Sequence, residues 1–143
     1  MKRISMTTLV TALLLLMPFI AEAQLATLAI TVHGLEPATG SVEVSVFDSE
    51  ESFMKTPFLQ QSQPVEENEE LYFEFVGLVD GDYAVVVVHD ENDNGLLDTG
   101  FLGFGGESFG YSNDVAPFLG RPSFDSAKVN IGETDLSIEI NLD

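Results

Sequence analysis

The run from Tyr83 to Val88 constrains this chain most. Its centre, Ala84-Val85-Val86-Val87-Val88, is apolar at every position instead of at alternate ones. Such a β-branched run has no face to offer water, which predicts a central strand covered on both sides. The neighbouring segments alternate with period two, as half-buried strands do. Leu28, Ile30 and Val32 alternate with Ala29, Thr31 and His33; Val42, Val44 and Val46 enclose Glu43 and Ser45; Leu71, Phe73 and Phe75 enclose Tyr72 and Glu74. Val129 and Ile131, then Leu136, Ile138, Ile140 and Leu142, supply two last strands joined at Gly132-Glu133-Thr134. Six or more short strands with almost no helix predict an all-β fold, a single antiparallel β-sandwich of immunoglobulin-like or prealbumin-like type.

The connections are predicted with less regular signals. Ala38-Thr39-Gly40 suggests that the first two strands form a hairpin. Asp48 to Met54 predicts one short helix, with Asp48 or Ser49 as N-cap, ending before Pro57. Gln60 to Glu70 is polar and acidic and is expected to be a mobile loop. Gly100 to Pro122 carries Phe101, Phe104, Phe109, Tyr111 and Phe118 among Gly103, Gly105, Gly106 and Gly110. It is expected to form a lid whose rings pack on the sandwich, the alternative being an aromatic platform for sugar or peptide.

The central strand delivers the chain into Asp90-Glu91-Asn92-Asp93-Asn94-Gly95-Leu96-Leu97-Asp98. Oxygen-bearing side chains at Asp90, Asn92, Asn94 and Asp98 occupy alternating positions of a tight loop, Gly95 permits the sharp turn, and the Leu96 carbonyl adds a donor. A hard cation such as calcium takes six to eight oxygen ligands in this pattern. Phe101 stands where an EF-hand places its bidentate Glu, and no amphipathic helix precedes the loop, so an EF-hand proper is rejected. A bare polar turn needs only Asn94 and Gly95. Glu107, Asn113 and Asp114 are further candidates to complete a metal shell.

Met1 to Ala23 reads as an export signal: Lys2 and Arg3, an apolar core from Leu9 to Ile20, and the small-residue site Ala21-Glu22-Ala23. An uncleaved anchor is the alternative, although the apolar run falls short of the ~20 residues a span needs. The remainder, residues 24–143, is expected to be one soluble, monomeric domain in the periplasm or outside the cell. With no Cys, its stability must come from packing, helped by metal, and a lipid anchor on Cys is ruled out. Twenty-four Asp and Glu face five Lys and Arg, two of which lie in the signal. That surface repels phosphate backbones and anionic lipids, which argues against nucleic-acid binding and membrane docking. It suits calcium or a cationic partner, and equally simple solubility.

Several segments together resemble a known family: Gly40-Ser41-Val42 leading to Val46-Phe47-Asp48-Ser49-Glu50, Gly81 to Ala84, His89 to Gly95, Phe101-Leu102-Gly103 and Gly110-Tyr111-Ser112-Asn113. In that order they look like the exported bacterial family catalogued as domain of unknown function 2141, over nearly all of residues 24–143. The resemblance implies export and assigns no activity; the usual mixed charge of the family is here shifted to acidic. The corner Leu78 to Tyr83 is also similar to prealbumin-like and carboxypeptidase-regulatory sandwiches, which supports the fold and not a function.

No Gly-x-Ser-x-Gly elbow, phosphate loop, His-Glu-x-x-His or Cys nucleophile occurs. His33 is expected at the surface. His89 is the one catalytic candidate, and a His there more often orients a loop. Two readings follow: a non-catalytic, calcium-stabilised module that binds a protein or carbohydrate partner, or a small hydrolase or transthyretin-like enzyme with its site near His89 beneath the aromatic lid.

Overall fold

A computed structural model describes residues 24–35, 39–66, 70–95, 106–116 and 121–142. Among the described residues eight strands form two sheets. They are β1 (Ala26–His33), β2 (Ser41–Phe47), β3 (Leu59–Pro64), β4 (Glu70–Leu78), β5 (Gly81–Asp90), β6 (Phe109–Tyr111), β7 (Val129–Ile131) and β8 (Leu136–Asn141). The first sheet runs β4-β1-β8, and the second runs β3-β2-β5-β6 with β7 paired to the start of β5. The predicted strands therefore form, and they pack as a sandwich. No helix of the described residues is long and apolar enough to cross a membrane.

Alternation places Leu28, Ile30, Val32, Phe73, Phe75 and Ile140 of one sheet against Val42, Val44, Val46, Val85 and Val87 of the other, all buried in one core. The even positions of β5 face the opposite way. There Ala84 and Val86 join Phe47, Phe53, Tyr111, Phe124 and Ala127 in a second apolar cluster on the outer face. β5 is thus covered on both sides, as its composition requires. The ring of Phe53 meets Phe47 edge-on at a centroid distance of 5.4 Å and Phe124 at 5.9 Å, geometry that aromatic quadrupoles favour. The predicted corner is present too: the Tyr83 hydroxyl donates to the Val79 carbonyl at 3.1 Å.

Four local expectations are corrected. β1 and β2 are not a hairpin: β1 pairs with β4 and β8, β2 with β3 and β5, and the chain crosses between sheets. Alternation identifies a strand but not its neighbour. One pairing, β1 with β8, is parallel, so the sandwich is not wholly antiparallel. Gln60 to Pro64, expected as the start of a mobile loop over Gln60 to Glu70, belongs to strand β3 (Leu59–Pro64); its polar side chains conceal a strand held by backbone pairing to β2.

Asp48 to Met54 forms successive turns instead of a helix. Ser52 donates its amide to Ser49 Oγ at 3.3 Å and its hydroxyl to Ser49 O at 3.0 Å, and Met54 turns left-handed at φ 57°. Side-chain bonds of this kind compete with helix formation. The short helix lies elsewhere, α1 (Phe124–Ala127), capped by Ser123.

The two sheets are also fastened at their edges. Gln61 and Gln63 of β3 donate side-chain amides to the Glu74 and Tyr72 carbonyls of β4, at 2.7 and 2.8 Å. At the opposite side β6 lies so close to β8 that a Cβ on Gly110 would stand 2.7 Å from Ile140 and 2.9 Å from the Asn141 carbonyl.

Candidate metal and ligand site

The last residue of β5 is Asp90, and its carboxylate is folded over the turn that follows. Oδ2 accepts from the Gly95 amide at 2.7 Å and Oδ1 from the Asn94 amide at 3.1 Å, while Asn92 Oδ1 also accepts from Asn94 N at 3.0 Å. The Gly95 amide above all, with help from Asn94, Asn92 and Asp93, holds the Asp90 carboxyl below its ordinary value of 3.8, although burial opposes this. The loop therefore begins in a charged carboxylate whose two oxygens face the loop's own amides, so a cation bound there shares those oxygens with the amides. Asp93 at φ 55° and Gly95 at φ 73° give the left-handed steps of the sharp turn. Leu96 and Asp98, the remaining predicted ligands, lie outside the described residues, as do Phe101, Phe104 and Phe118 of the expected lid.

Register explains what surrounds Asp90. Ser41 of β2 is its partner across the ladder, and Glu43 of β2 pairs with both Val88 of β5 and Ser62 of β3. These residues share the outer face and, with Asp93 and Gly95, line a cleft of about 330 Å³. Three carboxylates and two hydroxyls therefore edge one opening. They do so without converging: among the described residues no three His, Cys, Asp or Glu side chains are close enough to hold an ion. Ser41, Glu43 and Ser62 were not singled out from sequence. Glu43 reads there as the polar half of an alternating strand, and only the pairing of three strands puts it beside Asp90.

Of the further candidates, Glu107 alone belongs here. It is buried, and Oε1 accepts from the Glu91 amide at 3.1 Å, which ties the segment entering β6 to the loop. Asn113 and Asp114 do not belong. They follow Ser112, whose hydroxyl is level with Val85, five residues or roughly 16 Å along β5 from Asp90. Asn113, left-handed at φ 64°, donates to the Ser126 and Lys128 carbonyls at 3.2 and 3.0 Å. Asp114 accepts from the Asn141 amide and side chain, both at 3.0 Å. These two side chains fasten α1 and β8. Ser112 belongs to the same fastening: wholly buried, it donates to Ala127 O at 2.5 Å and accepts from Val85 N at 2.9 Å.

His89 points the other way from Asp90, into the core, and is 0% exposed. Its Nε2 lies 2.7 Å from the Thr39 carbonyl, which can only accept, so Nε2 is assigned the proton. Nδ1 has no hydrogen-bond partner among the described residues. A substrate could reach this ring only if the end of β5 opened. What His89 does hold is the entry to β2, just before Gly40. His33 is half-buried on the first sheet's outer face, between Glu70 at 3.5 Å and Glu139 at 3.8 Å.

The family model described as "Uncharacterized protein conserved in bacteria (DUF2141)" matches residues 30–139. The chain belongs to that family. No match is found among curated proteins or among solved structures.

Proposed function

We propose that this member of the family is an exported, non-catalytic sandwich module whose Asp90 loop takes up a calcium ion and whose surface binds a protein or carbohydrate partner as a monomer. The observation that carries the reading is the Asp90 carboxylate, kept charged by the loop's own amides at the edge of a cleft shared with Glu43 and Asp93. Calcium accepts amide, carbonyl and hydroxyl oxygens as well as carboxylates, which suits Asn92, Asn94, Ser41 and Ser62 better than any softer metal would. In this reading Leu96 and Asp98 supply the ligands that the sequence pattern assigns them. Because the cleft carboxylates stand apart, the ion draws them together, and binding is coupled to ordering of the loop. Export rests on the sequence of Met1 to Ala23.

Equilibrium dialysis against calcium and magnesium tests the site. Wild type retains calcium in preference to magnesium, and the Asp90→Ala/Asp98→Ala variant retains neither; equal retention by the two proteins would remove the loop from consideration.

A further inference from the structure

Five large apolar side chains are exposed among the described residues, and four of them gather at the end of the sandwich away from the Asp90 loop. Leu25 is 60% exposed, Phe58 50%, Val76 70% and Val79 49%. Strand pairing and the contacts of Tyr83 place them at that end. Leu25 precedes Ala26, whose partner is Leu78 at the end of β4; Val76 stands two residues before Leu78 and Val79 directly follows it. The Val79 carbonyl accepts the Tyr83 hydroxyl, and the Tyr83 ring lies 6.2 Å from that of Phe58. The fifth residue, Tyr72, stands apart and donates to Glu74. Isolated exposed hydrophobes are ordinary, but a group of four at one end of a small domain is the signature of an interaction surface.

Acids border this end. Asp48 and Asp80 are near enough to add to the upward shift that burial gives the Tyr83 hydroxyl. Asp135 accepts from the Thr27 amide at 2.8 Å, two residues from Leu25. Lys55, three residues before Phe58, is directed at its own turn and donates to the Glu51 carbonyl at 3.1 Å. Lys128 is engaged by Asp82 and Asp125, at 3.0 and 3.1 Å. An apolar patch with an acidic border selects its occupant by charge. A second copy would bring like borders together, and an anionic bilayer would be repelled in the same way.

We infer that the end formed by Leu25, Phe58, Val76 and Val79 docks a polypeptide segment that carries aliphatic anchors flanked by Lys or Arg. The anchors bury against the four side chains, and the flanking cations meet Asp48, Asp80 and Asp135. This surface is separate from the Asp90 cleft and does not depend on calcium.

The probes are two synthetic peptides with the same Leu-Leu-Val-Leu-Leu core, one flanked by paired lysines and one by paired glutamates. Each is titrated into the isotope-labelled protein at physiological ionic strength and followed by amide chemical shifts. The lysine-flanked peptide is expected to move the resonances of residues 25, 48, 58 and 76–80 and to bind at least about tenfold more weakly to Phe58→Ser/Val79→Ser. Both substitutions lie at exposed positions, and circular dichroism verifies that the variant is folded. Glu43→Gln, at the other end, should bind like wild type. The inference is overturned if neither peptide binds, if the glutamate-flanked one binds equally well, if the double variant binds undiminished, or if shifts spread over the whole acidic surface. It is also overturned if sedimentation shows a dimer that the double variant abolishes, since a second copy would then be the occupant.

Discussion

Gly40 lies against Asp90 so tightly that a Cβ on it would stand 2.0 Å from the Asp90 carbonyl oxygen. At φ 75° Gly40 also occupies the left-handed region. The entry to β2 and the exit from β5 are thereby clamped together where the candidate loop begins, with His89 bonded to Thr39 just behind. Gly40→Ala must move backbone, so it should lower stability by about 3 kcal/mol or more, from the left-handed penalty plus the clash. Urea denaturation would measure this, and calcium affinity should fall with it.

Asp90 makes a prediction about acid. Its folded pKa is lowered, so the stability it contributes is present above 3.8 and is lost as pH falls through the lower folded value. Asp90→Asn should therefore be less stable than wild type at neutral pH, with the two curves converging below pH 3.8. Denaturant melts across the acid range check the sign, and a difference that widens on acidification would contradict it.

Ser112 should matter although it touches no candidate ligand site. Ser112→Ala leaves the buried Val85 amide and the Ala127 carbonyl without their hydroxyl partner. At about 1–3 kcal/mol for each of the two buried groups left unpaired, a loss of roughly 2–6 kcal/mol is expected from chemical denaturation, with calcium affinity unchanged.

Gln61 and Gln63 cover the free edge of β4. Removing both amides in Gln61→Ala/Gln63→Ala should cost only about 1–3 kcal/mol, since each hydrogen bond is worth about 0.5–1.5 net. The unpaired Tyr72 and Glu74 carbonyls would then offer a template to another chain, so the variant should self-associate in light scattering at concentrations where wild type does not.

Much of this was legible in the sequence because burial sets period. The run Ala84 to Val88 announced a strand with two covered faces, and the alternations around Ile30, Val44, Phe73 and Ile138 gave both walls of the core. β3 was not legible, since Gln60, Gln61, Ser62 and Gln63 carry no apolar rhythm and are held by backbone pairing and side-chain amides. Neither was partner choice, because alternation says which face is buried and nothing about which strand lies alongside. The same limit applies to the site. The local pattern from Asp90 to Asn94 could be read from spacing, whereas Glu43 and Ser62 arrive across β2 and β3. Asn113 and Asp114 looked like ligands by residue type alone, and the level of Ser112 with Val85 places them far along the sheet.

Thermal melting in chelator and then in stepped calcium and magnesium tests the central claim most directly. Extracellular calcium sites bind at ~0.1–1 mM, so at roughly millimolar calcium the linkage term is about 0.4–1.4 kcal/mol. For a domain of this size that is a rise in midpoint of about 1–6 °C. The account predicts such a rise with calcium, a smaller one with magnesium, and none in Asp90→Ala/Asp98→Ala. A wild-type midpoint indifferent to calcium, or a rise that survives in the double variant, would contradict it.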